Sequence, residues 1–363
     1  MELQSNKRQN NENVERFNLE DDHSGFELYK GTIAISVVAD AIQKAQEQGI
    51  DTDHVLIKSG IHPDLFQSSK ARVSIQSFGQ MWIELANQLN DEFFAMDSHP
   101  LKRGSFKLLS EILIHSNNLR KSIQMSLDFF NLVMDDLNSK LFVQENYAYI
   151  VINDLKQSKS MFCYATYIML IHSLMCWLSG QRIVLNQIQL KCSAPVDDQD
   201  YKVRFCENIH YQCEENYLQF DANYLNIAVK QDKKSWHQFI QQTPYNLLVR
   251  FKNPNSISNL IRKQLLSTTP AEWLEIYDLA KQLNMSEATF QRRLKAEAVS
   301  YQQLKNDIRR DIAIEMLTKS HCSLQQISDE LDFHDPSAFH RAFKKWTGLS
   351  PGAYRQLNEN STE

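Results

Sequence analysis

The sequence contains no Cys-x-x-Cys pair and no cysteines and histidines at zinc-finger spacing, which removes the common structural zinc sites from consideration. Its six cysteines, Cys163, Cys176, Cys192, Cys206, Cys213 and Cys322, are scattered. No secretory signal is read at the start, so reduced thiols in a cytoplasmic protein are expected, with no metal or other cofactor. An excess of positive charge is also lacking: 39 Lys and Arg against 44 Asp and Glu leave −5 at pH 7. Charge is missing altogether from Ser160 to Gln181. That stretch is marginal for a membrane span of about 20 apolar residues. Tyr164, Thr166, Tyr167, His172 and Ser173 would be expensive in lipid, so it reads as a buried core helix and no membrane partner is expected. Residues 1–27 have almost no apolar side chains and read as a flexible tail.

What is present divides the chain. From Ile33 to Gln48 the apolar spacing is helical, and further helices are expected near Asp53–Ser59 and at Ile75–Leu89, Phe106–His115 and Leu119–Leu137. The period then changes to that of a strand. Leu141 to Ile152 reads as a hairpin turning at Glu145-Asn146, and VLNQIQLKC, YKVRFC and YLQFD read as three more strands. Residues 28–235 are therefore expected to form an α+β domain, and 236–258, with Pro244 and Pro254, a linker.

In the last hundred residues one pattern occurs twice. LAKQLNMSEATFQRRLK starts at Leu279 and ISDELDFHDPSAFHRAFK at Ile327. Leu279 falls on Ile327 and Leu283 on Leu331. Beyond the turn, where the second copy has one extra residue, Phe290 falls on Phe339, Arg292 on Arg341 and Leu294 on Phe343. Each copy reads as helix, tight turn, helix, the plan in which the second helix enters a DNA major groove. Residues 259–357 hold 14 Lys and Arg against 12 Asp and Glu, so the charge there is +2 while the rest carries −7. Capping boxes are read at Thr269–Glu272 and Ser323–Gln326, and helix starts at Ser286 and Asp335-Pro336. Between the units Tyr301–Thr318 reads as one helix, roughly 27 Å long, able to hold two recognition helices about one DNA turn apart.

The second copy and its trailer, LDFHDPSAFHRAFKKWTGLSPGAYR, resemble the AraC/XylS family of bacterial transcription regulators, with Asp332 where that family usually has Gly. The resemblance covers about residues 259–357, followed by a short tail at 358–363. It implies base contacts by Ala288, Gln291 and Arg292. Helix geometry places Lys295 beside them and turns His334, Ser337, His340 and Arg341 of the second unit toward the groove, with Lys344 on the phosphate side. The first domain resembles the arabinose-binding-like branch of the same family through Gly104-Ser105-Phe106, Phe129-Phe130, Pro195, Tyr201, Phe205, Leu218 and Phe220.

The fold expected is thus an α+β ligand-binding domain followed by an all-α domain with two helix-turn-helix units joined by a long linker helix. The resemblance implies a regulator of double-stranded promoter DNA, usually an activator that contacts RNA polymerase. A homodimer controlled by a small-molecule effector is expected. The competing reading is a regulator without effector, whose first domain only dimerises. Lys102 and Arg103 could attract an effector carboxylate, and Tyr164, Tyr167 and His172 could line an apolar pocket. A fused alkyl-transfer enzyme would need a reactive cysteine or a metal site of four cysteines, and the spacing offers neither, so no catalytic residue is expected. A haem sensor would need a ligand such as His115 or His172, which read better as hydrogen-bonded core residues.

Overall fold

The computed structural model describes residues 31–248, 257–296 and 299–359, so the tail expected at 1–27 and residues 360–363 lie outside the described residues. Two short strands, β1 (Thr32–Ala34) and β2 (Arg72–Ser74), pair antiparallel and bracket α1 (Ile35–Glu47) and α2 (Thr52–Lys58). Helices α3 (Ile75–Leu89), α4 (Ser105–Leu113) and α5 (Leu119–Val133) follow. The expected helix at Leu119–Leu137 stops at Val133 for a local reason. The Asp97 carboxylate accepts the backbone N–H groups of Asp135 and Asp136 at 2.9 and 2.8 Å and draws the chain out of the helix.

The hairpin is longer than its pattern. β3 (Leu137–Gln144) and β4 (Tyr147–Asp154) pair from Leu137↔Asp154 to Gln144↔Tyr147, and Glu145 takes the left-handed conformation in the turn. With β5 (Leu185–Gln189), β6 (Ile209–His210) and β7 (Asn216–Asp221) they form one sheet in the order β3-β4-β7-β5-β6, antiparallel except for β5 against β6. Ala148, Ile150 and Ile152 of β4 alternate inward with Leu218 and Phe220 of β7. YKVRFC is not a strand: it lies on α7 (Gln199–Arg204) and the residues just after it. Tyr201 and Phe205 are the buried residues there, and four apart is helical spacing as well as two periods of a strand. An ion pair of 2.9 Å between Asp198 and Lys202 supports the helical choice.

The charge-free segment is α6 (Met161–Ser179), and all nineteen of its residues are buried inside the fold. Ser160 caps its start and Gly180, in the left-handed conformation, ends it. α8 (Lys233–Gln241) and α9 (Tyr245–Leu248) occupy the first part of the expected linker, and 249–256 lie outside the described residues. α8 is docked on the first domain: Trp236 donates its indole N–H to Ser110 Oγ at 3.0 Å, and Phe239 stacks on Trp177 at 4.2 Å.

The C-terminal part is helical throughout: α10 (Ile257–Leu266), α11 (Ile276–Gln282), α12 (Glu287–Ala296), α13 (Tyr301–Lys319), α14 (Leu324–Glu330), α15 (Pro336–Thr347) and α16 (Pro351–Glu359). The box at Thr269 forms, with Glu272 accepting from the Thr269 N–H and hydroxyl, but it opens one turn of 3₁₀ helix (Pro270–Glu272) instead of a full helix. Burial is split unevenly between the two repeats. Ile257, Ile261, Trp273, Leu279, Phe290, Leu294 and the start of α13 make a core of their own. Ile314, Leu317, Ile327, Leu331, Phe339, Phe343 and Tyr354 belong to the same continuous core as the N-terminal domain.

Candidate DNA interface and effector cavity

The two repeats turn in the same way atom for atom. Asn284 and Asp332 end α11 and α14 in the left-handed conformation, with φ of 55° and 57°. Asn284 N–H donates to Lys281 O at 3.0 Å and Met285 N–H to Ala280 O at 2.9 Å. Asp332 N–H donates to Asp329 O, and Phe333 N–H to Ser328 O, both at 3.0 Å. These are paired three-back and five-back bonds of a Schellman ending, which asks for Gly first and tolerates Asn or Asp next.

After the turn Ser286 Oγ accepts from Thr289 N–H at 3.2 Å, and Asp335 Oδ1 accepts from Ala338 N–H at 2.8 Å, so each recognition helix starts on a side-chain cap. Phe290 with Leu294 and Phe339 with Phe343 anchor α12 and α15 inward. The opposite faces are open. Ala288, Gln291, Arg292 and Lys295 on α12, and Ser337, His340, Arg341 and Lys344 on α15, are all exposed, as is His334 directly before the second cap. Gln291 is steadied by a 3.0 Å hydrogen bond from its Nε2 to Glu287 Oε1.

One residue of the interface's framework has no signal in the sequence. Arg309, on α13, donates Nε to Leu331 O at 2.9 Å and lies 3.4 Å from the Asp332 carboxylate. Its guanidinium also sits 5.0 Å from the Trp273 ring centre and 5.5 Å from that of Phe333. Trp273 belongs to the core around the first repeat and Leu331 to Phe333 form the turn of the second, so Arg309 pins the two units to each other. Burial pulls its pKa below the ordinary arginine value.

Where the N-terminal domain meets the helical part, polar contacts run in series. Asp200 Oδ1 pairs with Arg72 Nη2 at 2.7 Å, and Arg72 Nε donates to Thr32 Oγ1 at 2.8 Å. Thr32 in turn donates to Asp311 Oδ1 of α13 at 2.7 Å. Asp311, 7% exposed, also accepts from Arg310 at 3.0 and 3.1 Å. Beside this seam, Ser68 Oγ donates to Thr347 O at 2.9 Å, and the Tyr354 hydroxyl donates to Arg72 O.

Next to the seam lies a cavity of about 830 Å³ with walls from both domains. The N-terminal side offers Trp82, Phe162, Met169, Arg182 and Arg204. The helical side offers Arg310 and Trp346. None of the five expected effector residues lines it. Lys102 is exposed ahead of α4, and Arg103 is bonded to Asn87 and Glu92 at 3.1 and 3.4 Å. Tyr164 donates to Asp154 at 2.6 Å and Tyr167 to Ser139 at 2.8 Å. His172 Nε2 donates to Ile183 O at 2.8 Å, and burial, with Arg182 and Arg204 adding, pushes its pKa down to about 3. It is a neutral core histidine. Among the described residues no group of His, Cys, Asp and Glu could hold a metal ion.

Comparison with known proteins agrees with both halves. The profile described as "Arabinose-binding domain of AraC transcription regulator, N-term" matches residues 49–229, and "Helix-turn-helix domain" matches 279–357. The ornithine utilization regulator of Pseudomonas aeruginosa is 23% identical over 320 residues, covering 85% of this chain and 92% of its own. Two other relatives align over a shorter stretch. The transcriptional regulator VqsM of the same organism is 34% identical over 90 residues, covering 25% of this chain and 28% of its own. The urease operon transcriptional activator of Escherichia coli is 31% identical over 116 residues, covering 32% and 39%. With the duplicated turns and an N-terminal domain of the matching type, the chain belongs to the AraC/XylS family of DNA-binding transcriptional regulators.

Proposed function

We propose that this regulator is a cytoplasmic transcriptional activator that reads two successive major grooves with α12 and α15 and is switched by a small-molecule effector. The observation that carries the DNA reading is the repeated turn geometry with nine polar or small side chains exposed on the two faces it presents. Arg292 and Arg341 occupy equivalent places and suit bidentate contact with guanine, Gln291 suits adenine, and Lys295 and Lys344 suit phosphates. The activator sign follows the family's usual habit and the name of the urease relative. Contact with RNA polymerase and a homodimer belong to the same reading. No enzymatic step is part of it.

Effector control is supported by the cavity shared between the domains, because an occupant with different affinity for two domain arrangements shifts their populations. A regulator whose N-terminal domain only dimerised would leave that cavity without use. The test is selection of bound fragments from genomic DNA with the full chain and its Arg341→Ala variant side by side. Enrichment of a few promoters by the unaltered chain alone is the expected result. Equal enrichment by both removes Arg341 from base reading, and no enrichment above random DNA, with and without cell metabolites, removes the regulator reading.

A further inference from the structure

We infer that the protein dimerises through the free edge of its sheet, with β3 of one copy pairing antiparallel to β3 of a second copy about a two-fold axis at Phe142. The inference rests on the regulator reading above for the homodimer and deepens it by naming the surface and its register. β3 stands at the end of the strand order, with β4 on one side only. Which of its backbone groups face outward follows from Ser139. Its N–H donates to Asn131 Oδ1 at 2.7 Å and its C=O accepts from Asn131 Nδ2 at 2.9 Å, so neither turns to β4. In an antiparallel ladder that orientation recurs every second residue, and Leu141 and Val143 therefore also turn their N–H and C=O groups outward. The Asn131 amide stands in for a neighbouring strand at Ser139. From Leu141 to the turn at Glu145 the edge is open among the described residues.

That open stretch fits a copy of itself. With the two-fold at Phe142, Leu141 lies opposite Val143 of the second copy, and each such pair exchanges both of its backbone hydrogen bonds. The second strand turns away at its own Glu145, which falls opposite Ser139, where the Asn131 amide already fills the edge. Moving the axis toward Lys140 runs the second strand onto Asn131, and moving it toward Gln144 carries Leu141 past that strand's end. The side chains agree with this register. Phe142 is 59% exposed and Val143 43%, on an edge that charge would ordinarily guard if solvent were its neighbour. Phe142 meets its own copy as a non-hydrogen-bonded pair, the arrangement that brings side chains closest. It shares a face with Tyr149 of β4, and Tyr149 packs edge-on to Tyr217 at 5.5 Å, so the aromatic row of one sheet continues into the other. Lys140 and Glu145 are the charged residues of this strand and turn, and both are exposed. The same two-fold brings Lys140 of each copy beside Glu145 of the other.

The experiment is sedimentation equilibrium of the full chain over a concentration series, beside two variants. Phe142→Lys sets like charges against each other at the axis, and Val143→Pro removes an outward N–H that the ladder to β4 does not use. A dimer is expected for the unaltered chain, with its dissociation constant raised about tenfold or more in each variant. Phe142→Cys should cross-link to its own copy under copper phenanthroline and air, about tenfold faster or more than Leu108→Cys, which is exposed on α4. A monomer throughout the series, a dimer that both variants leave unchanged, or cross-linking no faster at Phe142 than at Leu108 overturns the inference. Phe142→Cys keeps the backbone edge and adds no charge, so it decides even where Phe142→Lys or Val143→Pro does not fold. The DNA reading fails separately. A dimer that enriches no promoter leaves this interface standing, and a monomer that enriches promoters removes the interface and keeps the DNA reading.

Discussion

Single side chains separate the three jobs of this molecule. Arg341→Ala should weaken binding to the selected promoter by about 1–3 kcal/mol and leave random DNA nearly unaffected. Lys344→Ala should weaken both alike and reduce the salt slope by about 1. Anisotropy titrations across salt, on promoter and shuffled fragments, distinguish the two, and equal losses for Arg341→Ala on both would make it a phosphate contact. His172 belongs to the core. Its pKa of about 3 lies below the ordinary value, so the unfolded chain binds the proton first as pH falls. Stability from this group is complete above pH ~6.5 and is lost toward pH ~3, by at most about 1.4 kcal/mol per pH unit. His172→Asn, which keeps a donor for the Ile183 carbonyl, should flatten the acid limb of the Tm profile. An unchanged limb would place the acid sensitivity elsewhere.

At the scale of elements, the linker helix does more than space the repeats. Arg309 touches Trp273 on one side and the Leu331–Phe333 turn on the other, so Arg309→Ala should cost about 1–3 kcal/mol of stability and uncouple the two recognition helices. A footprint in which one half-site weakens well before the other is the expected sign, and uniform weakening counts against it. Much of this architecture could be read in advance. The repeated units, their caps at Ser286, Ser323 and Asp335, and α13 follow from strong helical periodicity and from residues whose capping chemistry acts within three positions. YKVRFC was less legible because Tyr201 and Phe205, four apart, satisfy a strand period and a helix period at once. Arg309 and Asp311 were hidden for another reason: each lies among helix surface polar residues, and their partners are 22 and 279 positions away. The effector residues were hardest, since α6 is apolar on every side and no periodicity says which face meets a cavity.

At the scale of the whole molecule, the second repeat shares its core with the N-terminal domain while the first has its own. Gly348 marks that docking. Its φ of 78° suits glycine, and a Cβ there would meet Ser68 Oγ at 2.1 Å across the seam. Gly348→Ala should destabilise by about 1–3 kcal/mol, and adding Ser68→Gly should recover part of the loss in urea melts. No recovery would mean that the strain is local to the turn and the seam is looser than this packing. The burial of α6 has a consequence during synthesis. Its nineteen charge-free residues pack on α1 and α5, which are made before them, and on α8 and α9, which are made after them, and Leu248, the end of α9, follows 69 residues later. At roughly 5–20 residues per second the side of the helix that α8 and α9 cover stays open for about 3–14 s. For that interval an apolar face lies open on the nascent chain, so the docking of α8 and α9 closes off a surface on which unfinished chains would otherwise aggregate.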